Sequence, residues 1–138
     1  MRRFEVRLKY WLPHIMACSK EYEELSTLEI LKSTGGILRI FGKAEEQLAE
    51  INSVLDFLVK AKLLIPSKRG SVRYFGIDFE NVMYEVSPAL KDLVDKAEKQ
   101  TQNKEECVYL KMNQKNYIFN LNFTLNKLAE IKVGLVNL

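Results

Sequence analysis

A single histidine and two cysteines are the residues best suited to hold a metal or to act as nucleophile and base. His14 and Cys18 are four apart, so on a helix they share a face. Cys107 is the only other candidate of that kind. Structural zinc wants four ligands in tight local pairs. Here the third ligand is remote and a fourth is missing, so no metal site is expected. No glycine-rich phosphate loop and no nucleophile in a recognisable setting is present. The carboxylate pairs Glu23/Glu24 and Glu45/Glu46 read as solubilising surface residues. The expectation is a protein that is not an enzyme and carries no cofactor.

The second chemistry on offer is attraction of phosphate. No acidic residue lies between Asp56 and Asp78, while Lys60, Lys62, Lys68, Arg69 and Arg73 all fall inside that gap. A net charge of +3 is too mild to predict nucleic-acid binding on its own, so the weight rests on this clustering. Another route to nucleic acid is base stacking on Tyr117, Phe119 and Phe123. They share a face with Leu121, however, and that makes them core candidates.

These residues need a scaffold. At 138 residues the chain is expected to be one domain, 1–138, long enough to bury a core without disulfides. Two distant cysteines fit a reducing, cytoplasmic setting. The N-terminal stretch is not read as a signal peptide, because Glu5, Arg7, Lys9 and Pro13 interrupt it. No apolar run is long enough to span a bilayer, so no membrane partner is expected.

Residues 3–11 alternate, with Phe4, Val6, Leu8 and Tyr10 against Arg3, Glu5, Arg7 and Lys9, which predicts a half-buried strand. Pro13 is then the first residue of a helix reaching Tyr22 or Leu25. Ser26 and Glu29 form a capping box for a short helix over about 27–34, stopped by Gly35-Gly36. Ile37–Phe41 reads as a strand. Residues 43–63 carry Leu48, Ile51, Leu55 and Leu58 at helical spacing, either as one long helix or, the favoured reading, as two that meet at Asn52-Ser53, both good caps. Leu63-Leu64-Ile65 is the next strand, Pro66–Gly70 a turn and Ser71–Ile77 the return strand. Val82–Val86 reads as one more extended piece. Ser87-Pro88 opens a helix with Leu90, Leu93, Val94 and Ala97 inward. Cys107–Met112 and Tyr117–Phe123 form a second hairpin, and Thr124 caps a last helix.

The order over residues 26–86 is similar to the winged helix-turn-helix family, especially the small bacterial and archaeal transcription regulators. Residues 55–65, LDFLVKAKLLI, followed by Gly70 and Arg73-Tyr74-Phe75, carry the resemblance, with Tyr84–Leu90 as the strand-to-helix step that follows. It implies an α+β fold with a winged-helix core over about 26–98. The strand at about 3–11 and the hairpin and helix at about 107–136 would form an appended subdomain, a small antiparallel sheet with a helix across it, which either makes a dimer interface or folds back to finish one core. It also implies a DNA-binding transcriptional regulator, or a plasmid or viral accessory factor. In that reading Asn52, Ser53, Lys60 and Lys62 belong to the recognition helix and Lys68, Arg69 and Arg73 to the wing. Glu45, Glu46, Glu50 and Asp56 depart from the pattern, because phosphate repels carboxylates. That departure motivates the alternative, a winged helix that binds a protein partner without DNA.

Overall fold

The computed structural model describes residues 3–34, 44–74 and 76–136. Helix α1 (Phe4–Glu21) leads into β1 (Glu24–Ser26), α2 (Thr27–Ser33), α3 (Ala44–Lys60), β2 (Leu64–Tyr74) and β3 (Ile77–Val86). Helix α4 (Pro88–Lys99), a 3-10 turn at Lys104–Glu106, β4 (Cys107–Met112), β5 (Lys115–Asn120) and α5 (Leu121–Val136) complete the fold. One antiparallel sheet has the strand order β1-β3-β2, and β4 and β5 pair as a second. The architecture is α+β.

The N-terminal segment is helix, not strand. Residues 4–12 satisfy both periods, and burial decides between them. Leu8, Trp11, Leu12, Ile15 and Met16 make one continuous buried stripe at helical spacing, whereas Val6 is 37% exposed. The alternating set expected to face inward is thus divided around the helix. Pro13 sits inside α1 and is buried there, forgoing a hydrogen bond to the carbonyl of Lys9. The apolar stripe on both sides of it outweighs that loss.

Ser26 caps α2 as expected, its Oγ accepting from the Glu29 amide at 3.1 Å. Gly35-Gly36 and the strand expected at 37–41 lie outside the described residues. Helix α3 runs unbroken through Asn52-Ser53. Neither side chain turns back to cap. Ser53 Oγ donates to the Glu50 carbonyl at 2.7 Å, and Asn52 Oδ1 accepts from Thr27 Oγ1 at 2.9 Å. Leu48, Ile51, Val54, Leu55 and Leu58 are all buried, and this unbroken apolar stripe holds α3 as one helix.

The ladder runs through to Tyr74 opposite Ile77, so the reversal does not lie at 66–70. Pro66 and Gly70 are within β2, facing Tyr84 and Asn81 of β3. β2 is an edge strand, where proline's missing N–H costs nothing to the ladder, and the register shifts at Ser67 between Pro66 and Lys68. Gly76, with φ of +78°, supplies the left-handed residue the reversal needs. The separate piece expected at 82–86 is the end of β3.

Ser87 caps α4, accepting from the Leu90 amide at 3.2 Å, with Pro88 in the first turn. In the last hairpin Asn113 and Gln114 both take positive φ, the geometry of a two-residue reversal. Strand β5 stops at Asn120, earlier than expected, because Asn120 Oδ1 accepts from the Phe123 amide at 2.9 Å and starts α5 there. Thr124, expected as the cap, donates to the Asn120 carbonyl instead.

The expected terminal sheet does not form among the described residues, since residues 4–21 are helical and β4 pairs there with β5 alone. One buried cluster includes Trp11, Ile15, Leu31, Leu55 and Val94 and also Met112, Tyr117, Phe119 and Leu128. The C-terminal hairpin and α5 therefore share the core of the rest.

Candidate nucleic-acid interface

The apolar stripe of α3 faces the core, so the opposite stripe is outward. It exposes Glu45, Glu46, Ala49, Asp56 and Lys60. Asn52 and Ser53 are half-buried at its margin. Asn52 holds Thr27, and Ser53 accepts from Arg7 Nη1 at 3.1 Å. Both expected base-reading side chains are thus engaged by neighbouring helices. Glu50, one of the acids that departs from the pattern, is buried and accepts from the Trp11 indole at 3.1 Å, so it points away from this surface.

Helix α3 ends in a turn that aims the chain into β2. The Leu63 amide donates to the Leu58 carbonyl and the Lys62 amide to the Val59 carbonyl, both at 2.9 Å, with Lys62 in the left-handed region at φ 62°. Lys60 and Lys62 are therefore exposed at the junction of α3 and β2.

The basic residues expected in a turn lie along a strand instead, and strand alternation separates them. Lys68 is on the face carrying Gly70 and Val72. Arg69 and Arg73 are on the other, where the neighbours from β3 are acidic. Arg69 Nη1 donates to Glu80 Oε1 at 2.7 Å, and Arg73 Nε lies 3.8 Å from Asp78 Oδ1. The Glu80 hydrogen bond raises the Arg69 pKa further, and Asp56 adds in the same direction. Burial raises the Tyr84 hydroxyl, with Asp56 adding and Arg69 opposing. Asp56 on the outer face of α3 thus acts on both Arg69 and Tyr84. Asp78 and Glu80 are neighbours of the basic residues that the sequence did not reveal. Asp78 pairs directly with Arg73, and Glu80, which pairs with Ser71, reaches Arg69 on the diagonal.

The metal candidates do not converge. Cys18 is buried, its Sγ 3.5 Å from Ser33 Oγ and 3.8 Å from Met112 Sδ, and burial pushes its pKa up to about 11. His14 packs beside Tyr10 and Trp11, and burial lowers it to about 4. Cys107 lies at the start of β4 against the Asn103 carbonyl. Among the described residues no group of histidine, cysteine and carboxylate side chains is placed to hold a metal. Tyr117 and Phe119 are buried with their rings 6.0 Å apart, which removes them as a base-stacking platform. No described helix is long and apolar enough to cross a membrane. No family model matches the chain, and neither a curated protein nor a solved structure matches it.

Proposed function

We propose that this chain is a winged-helix module that binds duplex DNA, with β2 and β3 as the wing and α3 as the helix set against the groove. The observation that carries the reading is the element order from α1 to β3. Helix, strand, helix, helix, strand, strand, with β1 added to the outer edge of β3, is the layout such modules use. The contacts we assign are Lys68, Arg69 and Arg73 on the wing with Lys60 and Lys62 at the end of α3. Asn52 and Ser53, turned toward α2 and α1, contribute less than a recognition helix would ask. Exposed ion pairs such as Arg69–Glu80 hold little free energy in water, so a phosphate oxygen can replace the carboxylate. In this reading the protein is a cytoplasmic transcriptional regulator or accessory DNA-binding factor. Its two free cysteines fit that compartment.

The test is fluorescence anisotropy with a labelled duplex across a salt series. Binding should weaken steeply with salt, and Lys68→Ala/Arg69→Ala/Arg73→Ala should flatten the slope by about 0.9 for each phosphate no longer neutralised. A triple variant that binds like the parent removes the wing from the interface.

A second reading has its own support. Glu45, Glu46 and Asp56 point outward from α3, and both wing arginines already face carboxylates. A mixed-sign, nearly neutral surface suits a protein partner better than a phosphate backbone. The absence of binding to any duplex at low salt and micromolar protein decides for this reading.

A further inference from the structure

We infer, resting on the duplex-binding reading of α3, that Asp56 is the side chain of that helix that selects sequence, by accepting a hydrogen bond from the exocyclic amino group of a cytosine in the major groove. Along the outer stripe of α3, Ala49, Asp56 and Lys60 are exposed, with Asn52 and Ser53 at its margin. Ala49 has no polar atom to offer a base. Asn52 Oδ1 accepts from Thr27 and Ser53 Oγ accepts from Arg7, so both are occupied. Lys60 stands in the last turn on a long flexible stem, and supplies charge more than a fixed hydrogen-bond direction. That leaves Asp56. It makes no hydrogen bond or ion pair among the described residues, so its carboxylate is available to a ligand.

An ionised carboxylate accepts hydrogen bonds and donates none. In the major groove guanine presents only acceptors, and thymine an acceptor and a methyl group, so neither can pair with it. Adenine offers an amino donor, but its N7 acceptor lies beside that donor and repels the second carboxylate oxygen. Cytosine N4 has no acceptor beside it on its own ring and is the best match. Selection then comes from repulsion of the wrong bases as much as from attraction of the right one. A carboxylate can come near a duplex only where cations offset the phosphates. Asp56 lies in the half of α3 nearest the wing. Lys60 is one turn further along the same stripe, Lys62 follows at the exit of the helix, and the charge of Asp56 is felt at Arg69 on β2. Glu45 and Glu46 are in the first turn, about 15 Å back along the axis. The helix therefore meets the groove with its C-terminal half, where Asp56 is the acid among basic residues.

The test is selection of bound duplexes from a pool with a randomised core, using the full chain at low salt, followed by sequencing. The parent should enrich a site with one position held as cytosine. Replacing that cytosine by thymine in the selected duplex should weaken binding by the parent about tenfold, and binding by Asp56→Ala hardly at all. Asp56→Asn should move the preference at the same position to adenine, because an amide pairs with N6 and N7 together. Both variants lose a charge that repels phosphate, so the readout is the preferred base and not overall affinity. A parent that retains no duplex overturns this inference together with the duplex-binding reading. A parent that binds with no preferred base overturns this inference alone. So does an enriched site that both Asp56 variants share unchanged, and so does a gain in affinity in Asp56→Ala that is equal for every duplex, since Asp56 then only repels.

Discussion

Replacing Glu80 by Gln and Asp78 by Asn removes the carboxylates that face the two wing arginines. Arg69 Nη1 is 2.7 Å from Glu80 and Arg73 Nε is 3.8 Å from Asp78, and the arginine side chains are about 70% exposed. A guanidinium so exposed can swing to a phosphate, but the carboxylates compete for it and repel the duplex. If the wing contacts DNA, the double variant should bind more tightly than the parent. Each arginine released to a phosphate steepens the dependence of log K on log salt by about 0.9, so two steepen it by about 1.8. Over a fourfold rise, from about 50 mM to about 200 mM, that adds about a tenfold loss. The variant should therefore gain about tenfold at the lower salt and keep little of the gain at the higher one. Anisotropy titrations with one duplex at several salt concentrations read both quantities. Unchanged affinity and unchanged slope, in a variant whose circular dichroism matches the parent, would refute the placing of DNA along this face of the hairpin.

Burial lowers His14 to about 4 from an ordinary value of 6.5, so the folded state favours the neutral ring. The stability this contributes is complete above pH 6.5 and lost as pH falls from there toward 4, by about 2 to 3 kcal/mol at pH 4.5. Urea midpoints should fall across that window in the parent and fall less in His14→Leu. Lys62→Gly removes a side chain from a left-handed position that closes α3 and should raise urea stability by about 1 kcal/mol. Asn120→Ala removes the cap of α5 together with a 2.7 Å hydrogen bond to the Gln100 carbonyl, and should cost about 2 kcal/mol in the same assay.

Local chemistry makes some of these elements legible in the sequence. Ser26 and Ser87 cap helices because a hydroxyl satisfies an amide within three residues, whatever the rest of the chain does. The apolar stripe of α4 and the reversal near Asn113 are local in the same sense. The elements that differ from expectation are decided at a distance. Residues 4–12 fit both a strand and a helix, and only contact with α3 and α2 selects the stripe from Leu8 to Ile15. Asn52 and Ser53 have good capping chemistry, but their partners are Thr27 on α2 and Arg7 on α1. Lys60, Lys62, Lys68, Arg69 and Arg73 are legible as basic surface residues, and all are exposed. Their neighbours are not legible, because cross-strand pairs depend on a register that composition does not carry.

That register governs the electrostatics of the hairpin. A turn at Pro66–Gly70 would have gathered Lys68, Arg69 and Arg73 at a tip with the acids elsewhere, a strongly attractive point for a phosphate. Reversal at Gly76 sets Arg73 directly opposite Asp78 and Arg69 on the diagonal from Glu80. Opposite charges at these positions stabilise the pairing they sit on. The same four residues therefore favour this register over a slipped one and cancel much of the field that would draw DNA in. Lys68, on the other face, makes no ion pair among the described residues and keeps its charge unopposed. If duplex binding depends on this wing, Lys68 should carry more of the salt dependence in the parent protein than either arginine, although the arginines have the better geometry for phosphate. Comparing the salt slopes of Lys68→Ala, Arg69→Ala and Arg73→Ala separates the two effects. The largest change at Lys68 means that the ion pairs persist on DNA, and the largest change at an arginine means that phosphate breaks them.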